Sequence, residues 1–420
     1  MTSFLILLIP FAFAGLALMN AGLVRSRNAA HTLMTTLTVA AVAVLAYVAC
    51  GFAWQGFSGG EAYGLTVGKQ TWNWIGAERF LLRGVDFDGV GGLAAGFGMF
   101  TAALAAMIPL GAGAERWRLG PAAASTAVLA GFTVPLIAHW TWGGGFLAQF
   151  GKMYGLGPGF VDAGGAGVLQ TTGGLTALSV AWLLGPRRGK YSGQDRMPAA
   201  IPGHNVVFVL FGCLMALIGW FGINAAAAIL FYGASPGRVV LVAINTTLAA
   251  GSALLGSALV TRTRFGKPDA SLAANGWTAG LVASSAAAAF FPPAAAIIVG
   301  LVAGALVPIS IEILELRLFL DDPGGAISVH GIAGLWGLLA AGFLARLPGA
   351  GDGQWLAQLA GIATLLGCIL PLTYGINAIL NRFLPFRVSL DGERQGMDLH
   401  ELGANAYPEL VTHLEDFTQR

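Results

Sequence analysis

Eleven apolar runs divide the first 380 residues of the chain. Each is long enough, at about 20 residues, to carry a helix across a hydrocarbon layer roughly 30 Å thick. They fall at about 3–24, 31–55, 89–114, 120–142, 164–185, 204–230, 238–259, 269–290, 292–314, 328–345 and 356–380. In lipid no water is at hand for backbone N–H and C=O groups, so runs of this length resolve into helices rather than open sheets. The chain is therefore read as an all-α membrane protein with 11 transmembrane helices. Hydrophobic residues make up 56% of the chain and charged residues 10%, a balance that no soluble core requires.

Charge sets the orientation. Lys69, Arg79, Arg83, Lys152, Arg238 and Arg346 fall in one set of alternating connections, and the remaining sixteen of the 22 Lys and Arg residues fall in the other. Cytoplasmic loops carry the excess, which places the amino terminus outside and the carboxyl tail in the cytoplasm. The net charge of +2 reports topology, and nucleic acid is not an expected partner. The first run begins almost at Met1 and leads straight into "GLVRSRN", with no small-residue cleavage site ahead of it, so it is read as structure rather than a signal peptide. Cys50, Cys213 and Cys368 sit within apolar runs without paired spacing and are read as small hydrophobes. No HExxH helix, phosphate loop or nucleophile elbow occurs in a suitable context, so neither enzyme activity, cofactor nor metal is expected.

Two of the runs are copies. "DAGGAGVLQTTGGL" begins at Asp162 and "DPGGAISVHGIAGL" at Asp322; they agree at the aspartate, at Gly164/Gly324, Gly165/Gly325 and Ala166/Ala326, and again at Gly174/Gly334 and Leu175/Leu335. The copies are runs five and ten, so they cross the membrane in opposite senses. That is the mark of an inverted 5+5 repeat with one helix added, and sites in such folds lie near the midplane at the repeat interface. Eight residues after the aspartate one copy carries Gln170 and the other His330, which the repeat sets opposite each other.

Ionisable residues at bilayer depth are costly and usually functional. The list is Asp162, Asp322, His139 and His330, with Gln170, Asn224 and Asn245 as neutral company. Both aspartates precede Gly-Gly and a helix, so capping accounts for each; at Asp162, on the outer side, attraction of a cation is compatible with that role. The stretch "HWTWGGGFL" ends run four. Trp140 fits an interfacial aromatic belt, whereas Trp142, beside three glycines that open space, fits a cation-binding face.

On the segments "AGLALMNAGLVRSRN", "GAGAERWR", "IAHWTWGGGFL", "DAGGAGVLQ", "IGWFGINAAAA", "DDPGGAISVHGIAGLWG" and "GMDLHELGANAY", in that order, the chain resembles the ammonium transporter (Amt/Mep/Rh) superfamily. The resemblance implies eleven helices, a homotrimer, one pore per protomer and ammonium or ammonia as ligand. Trp142 matches the vestibule tryptophan, Asp162 the aspartate beneath it, Phe97 a vestibule aromatic, Trp220 and Phe221 the aromatic pair beside the pore, and His330 the second of two paired histidines. The departures lie in the conduction path. Gln170 stands for the first paired histidine, Ile223 for the inner gate phenylalanine and Ala227 for the entrance serine. The outer gate phenylalanine falls on Thr101 in an ungapped match and on Phe100 with one residue inserted.

Two facing imidazoles can relay a proton, because each nitrogen donates or accepts according to its state; a glutamine amide cannot. Gln170 is expected instead to accept hydrogen bonds through its carbonyl, with neutral His330 as a second acceptor for an ammonium ion. The chain divides into a transmembrane domain, 1–383, and a cytoplasmic tail, 384–420. In the tail "LGANAY" replaces the family's "HGExAY" (Leu402 for the histidine, Ala404 for the glutamate), and Leu410, Leu414 and Phe417 fall on one face of a segment that Pro408 can open. These features resemble family members fused to kinase or cyclase modules more than those that meet a PII-type regulator. The expected protein is a multi-pass protein of a prokaryotic inner membrane: an ammonium sensor with weak conduction and output through the tail, with a conventional ammonium transporter as the alternative.

Overall fold

The computed structural model describes residues 1–56, 62–191, 195–351 and 353–408. Among them ten helical segments are long and apolar enough to cross a membrane. Span one is Thr2–Leu23, span two Ser26–Gln55 and span three Val90–Gly113. Span four starts at Leu119 and stays helical to Thr141, after which a short separate helix, Phe146–Tyr154, follows. Span five is Ala166–Leu184, span six Val206–Tyr232, span seven Arg238–Phe265, span nine Pro293–Leu318, span ten Ile327–Leu344 and span eleven Gln354–Phe383. The run expected at 269–290 is a shorter helix, Ala270–Ser284, that gives way to turns. The first carbonyls of those turns are engaged by a distant segment: Ser285 O accepts from Gly164 N–H (2.6 Å) and Ala286 O from Ala163 N–H (2.8 Å).

The repeat is visible in geometry. One carboxylate oxygen of Asp162 accepts the Gly167 and Val168 N–H groups (2.8 Å each), and the Asp322 carboxylate accepts those of Ala326 and Ile327 (3.0 and 2.7 Å). These are the orphan donors of a helix start. Gly165 (φ +85°) and Gly325 (φ +69°) make the turn into each span through the left-handed region. Each span then opens with a π-helical stretch, Ala166–Thr171 and Ile327–Ile332. Such wide turns are rare and gather at functional sites.

Spans five and ten touch backbone to backbone. A Cβ at Gly174 would lie 2.3 Å from the Gly331 nitrogen, and one at the equivalent Gly334 would lie 2.4 Å from the Thr171 hydroxyl. Between apolar helices in lipid there is no hydrophobic drive to associate, so small residues that admit close packing hold the bundle together. Spans one and six meet in the same way, where Gly15 and Gly212 face each other's chains.

One end of the bundle is tied by buried ion pairs. Asp321 accepts from Arg187 Nε and Nη2 (2.9 and 3.0 Å) and lies near Arg116, while Glu115 pairs with Arg25. Burial alone would raise the Asp321 carboxyl, but the Arg116 and Arg187 guanidiniums hold it at about 2. The tail folds back onto this end of its own chain. Asp398 caps span two at the Ala30 and His31 N–H groups (3.1 and 2.7 Å), and Glu401 accepts from Leu119 N–H (2.9 Å) and meets the His31 ring. The apolar stripe Leu410, Leu414 and Phe417 lies outside the described residues.

The opposite end departs from an all-α fold. Ala62–Val67 and Gln70–Gly76 form an antiparallel hairpin. The strands carry the β-branched and aromatic residues that favour a pleat, closed by a two-residue Gly68–Lys69 turn. His139 anchors it: Nδ1 meets Gln55 O (2.8 Å) and Nε2 meets the Asn73 carboxamide (3.0 Å). Trp140 Nε1 donates to Trp74 O (2.8 Å), so Trp140 is a packing residue at this end.

The crossing of spans five and ten predicts a sharp positional effect. Gly174→Ala should destabilise the solubilised protein by about 1–3 kcal/mol through forced displacement of span ten. Gly251→Ala, where a Cβ meets nothing within 4 Å, should leave the thermal midpoint unchanged or slightly raised. Equal midpoints for the two variants would contradict the close crossing.

Candidate functional site

Trp142 ends the span-four helix, and the following Gly143–Gly145 segment carries no side chain that could crowd it. Its Nε1 donates to Asp162 O (2.9 Å), which fixes the ring at the hairpin end of spans five and ten. Asp162 is fully buried. One carboxylate oxygen carries both caps, and the other has no partner among the described residues. A carboxylate oxygen only accepts, so its natural partner is a cation or a hydrogen-bond donor. Tyr232 completes the tie, its hydroxyl accepting from Asp162 N–H (2.9 Å).

Three aromatic rings close this end. Trp142 stacks on Phe231 with ring centroids 4.5 Å apart and planes within 3° of parallel, and Phe97 meets both edge-on at 6.0 and 5.4 Å. Phe231 is not one of the residues expected from sequence. The signal was available: Ile223, Ala227 and Phe231 recur every four residues on one face of span six. Ala227 and Ile223 are fully buried, and the Ala227 methyl offers no hydrogen bond where a serine would.

On span three, Thr101 is buried one turn inward from Phe97 and returns its hydroxyl to Phe97 O (2.8 Å). Phe100 is half-buried and packs edge-on against Phe13 of span one (6.2 Å). Only Thr101 therefore shares the buried face of Phe97. Trp220 is fully buried with its Nε1 unpartnered among the described residues, and Phe221 is half-buried beside it.

At the centre, His330 Nδ1 and Gln170 Oε1 are 2.8 Å apart, with both side chains buried. An amide oxygen only accepts, so Nδ1 carries the proton and donates. The lone pair of neutral His330 is thereby left on Nε2. This differs from the expectation of two acceptors offered jointly to one ion, because Gln170 already spends its carbonyl on the imidazole. The Gln170 amide nitrogen has no partner among the described residues.

Beyond His330 lies a cavity of about 20 Å³, lined also by Asn20, Asn275, Thr278 and Met19. That volume holds one water-sized molecule. Asn275 Oδ1 is buried without a partner among the described residues. Asn275 also lines a larger cavity of about 310 Å³ at the tail end, with Arg187, Lys190, Asp269, Glu315 and Asp322. Asn20, Asn275 and Thr278 were not singled out in sequence, since each lies on a helix other than the duplicated pair.

A model of the Ammonium Transporter Family matches residues 1–407. The chain belongs to the ammonium transporter family. It is 36% identical to ammonium transporter Amt2 of Archaeoglobus fulgidus, over 96% of this chain and 86% of that one. The ammonium transporter of Bacillus subtilis is 31% identical over 96% and 95%. Among solved structures, a protein described as a sensor Amt protein superposes with a TM-score of 0.86 at 27% identity, covering 95% of this chain and 96% of its own. Candida albicans Mep2 superposes with a TM-score of 0.80 at 25% identity, over 93% and 86%.

In an ammonium transporter fold, the free oxygen of Asp162 is the first buried anionic acceptor behind the aromatic rings. Asp162→Asn keeps one oxygen for the two caps but turns an amide donor toward the ion, so ammonium affinity should fall by roughly tenfold or more with stability nearly retained. Asp162→Ala should instead lose about 1–3 kcal/mol of stability through the uncapped N–H groups. Calorimetric titration with ammonium and a thermal melt of each variant check both, and unchanged affinity in Asp162→Asn would remove the carboxylate from the site.

Proposed function

We propose that this protein is an ammonium receptor built on the transporter fold, binding the ion in its pore, conducting little and signalling through its tail. The observation that carries this reading is the 2.8 Å hydrogen bond from His330 to Gln170. A transported proton would have to leave the imidazole on one side and be taken up by a titratable group on the other. Gln170 gains and loses no proton near neutral pH, so a relay ends there. Binding does not need the relay. Trp142 and the free Asp162 oxygen suit the entrance of a cation, and the polar residues His330 and Asn275 line the inner cavity, which holds a single small molecule. The likeness to the sensor Amt protein over nearly the whole chain supports the same view.

The reading includes the family's assembly. The protein sits in a prokaryotic inner membrane with eleven crossings, amino terminus out and tail in, as a homotrimer with one pore per protomer. Residues 1–383 form the ammonium-binding domain and 384–420 the output segment toward a kinase- or cyclase-type module. In the binding domain Phe97, Trp142, Asp162 and Ala227 form the vestibule. Thr101, Trp220, Phe221 and Ile223 line the conduction path, Gln170 and His330 its midpoint; Phe100 packs away from it. A second reading, an ammonium transporter, is favoured by Asn275, which lines both the His330 cavity and the larger cavity at the tail end and so continues a path past the midpoint.

Restoring a titratable partner separates the two. Gln170→His should raise ammonium-dependent flux in proteoliposomes several-fold over the native chain, with binding retained. A native chain that already conducts as fast as the variant would overturn the receptor reading.

A further inference from the structure

A cation held by an aromatic ring must lie over the ring face, within roughly 6 Å of its centre. In this chain a face of Trp142 is occupied. Phe231 lies parallel to it at 4.5 Å, a separation at which the rings are in contact and no ion fits between them. Phe97 flanks both rings, and only 9% of Trp142 remains exposed.

Phe231 stands between two groups that are each tied to Asp162. It lies in the last turn of span six, which ends at Tyr232 and is closed by Gly233 in the left-handed conformation. Its neighbour Tyr232 pins that turn to Asp162 through the hydroxyl, while Trp142 is pinned to the same residue through Nε1. Two anchors therefore hold the flanking groups, and Phe231 is half-buried between them at the hairpin end.

We infer that Phe231 is an intramolecular lid on the ammonium entrance, whose ring competes with the ion for the face of Trp142. This rests on the reading of Trp142 and Asp162 as the entrance site. The ion and the Phe231 ring cannot use that face together, so binding requires the ring to swing away. The apparent affinity is then the intrinsic affinity reduced by the fraction of molecules with the lid open. A stacked aromatic pair of ordinary strength lowers that fraction about three- to tenfold. Phe231 thereby sets the ammonium concentration at which the entrance fills and keeps Asp162 covered below it.

The test is calorimetric titration with ammonium chloride of the purified full chain and its variants Phe231→Leu, Phe231→Met, Trp142→Leu and Phe231→Leu/Trp142→Leu. Both Phe231 variants keep apolar bulk and remove the flat ring. The expected result is a three- to tenfold tighter apparent Kd in each, with the gain absent when Trp142 is already leucine. Two variants guard against a folding defect in one, and size-exclusion profiles identify it. Unchanged or weaker binding in the Phe231 variants, with Trp142→Leu weakening it, overturns the lid alone; weaker binding would make Phe231 itself the recruiting ring. Unchanged binding in Trp142→Leu overturns the entrance reading beneath it.

Discussion

The backbone contact between Gly174 and Gly331 governs the centre of this protein. With 2.3 Å between a hypothetical Gly174 Cβ and the Gly331 nitrogen, no side chain larger than hydrogen is admitted without moving span ten. Four residues before Gly174 stands Gln170 and one before Gly331 stands His330, so the same crossing brings their polar tips to 2.8 Å. The starts of both spans are fixed as well, by Asp162 and Asp322 holding the first free N–H groups. Neither side chain at the midpoint is free to drift from the other.

That geometry decides the chemistry available. A pair of histidines in the same place could exchange roles, one donating while the other accepts. Gln170 fixes the roles: its oxygen accepts from Nδ1, and the imidazole keeps its lone pair on Nε2; His330 also lines the one-molecule cavity shared with Asn275. Among the described residues, the buried acceptors without a partner include one Asp162 oxygen and Asn275 Oδ1. Acceptors at two depths suit a pure donor such as ammonium, and the aromatic contacts of Phe97, Trp142 and Phe231 hold the first of them out of solvent.

Sequence carried the repeat and its consequence because a duplicated segment fixes register: matching aspartates and glycines set Gln170 against His330 without any knowledge of packing. The helix-capping of Asp162 was legible from the Gly-Gly that follows it, and the structure adds the hydrogen bond from Trp142 to its carbonyl. What escaped were features made by contacts between distant segments. The hairpin at 62–76 is short, lies between two apolar runs and is held by His139 from span four. The helix Ala270–Ser284 gives way to tight turns whose Ser285 and Ala286 carbonyls bond to residues 164 and 163, a contact between distant segments. Phe231 belongs to no motif, and its stacking partner is 89 positions away in the chain. Asn20, Asn275 and Thr278 look like ordinary helix residues until span ten is packed against them. The placement of the gate position was open between Phe100 and Thr101; packing puts Thr101 beneath Phe97 and turns Phe100 to Phe13.

In the receptor proposed for this chain, a fixed Gln170–His330 hydrogen bond leaves a pore that binds ammonium without carrying it. Ammonium-evoked current in proteoliposomes of the purified native chain, measured beside calorimetric binding on the same preparation, tests it most directly. Saturable binding with little or no current is expected. A robust ammonium-dependent current from the native chain would contradict it and make this protein a working transporter with a glutamine at its midpoint.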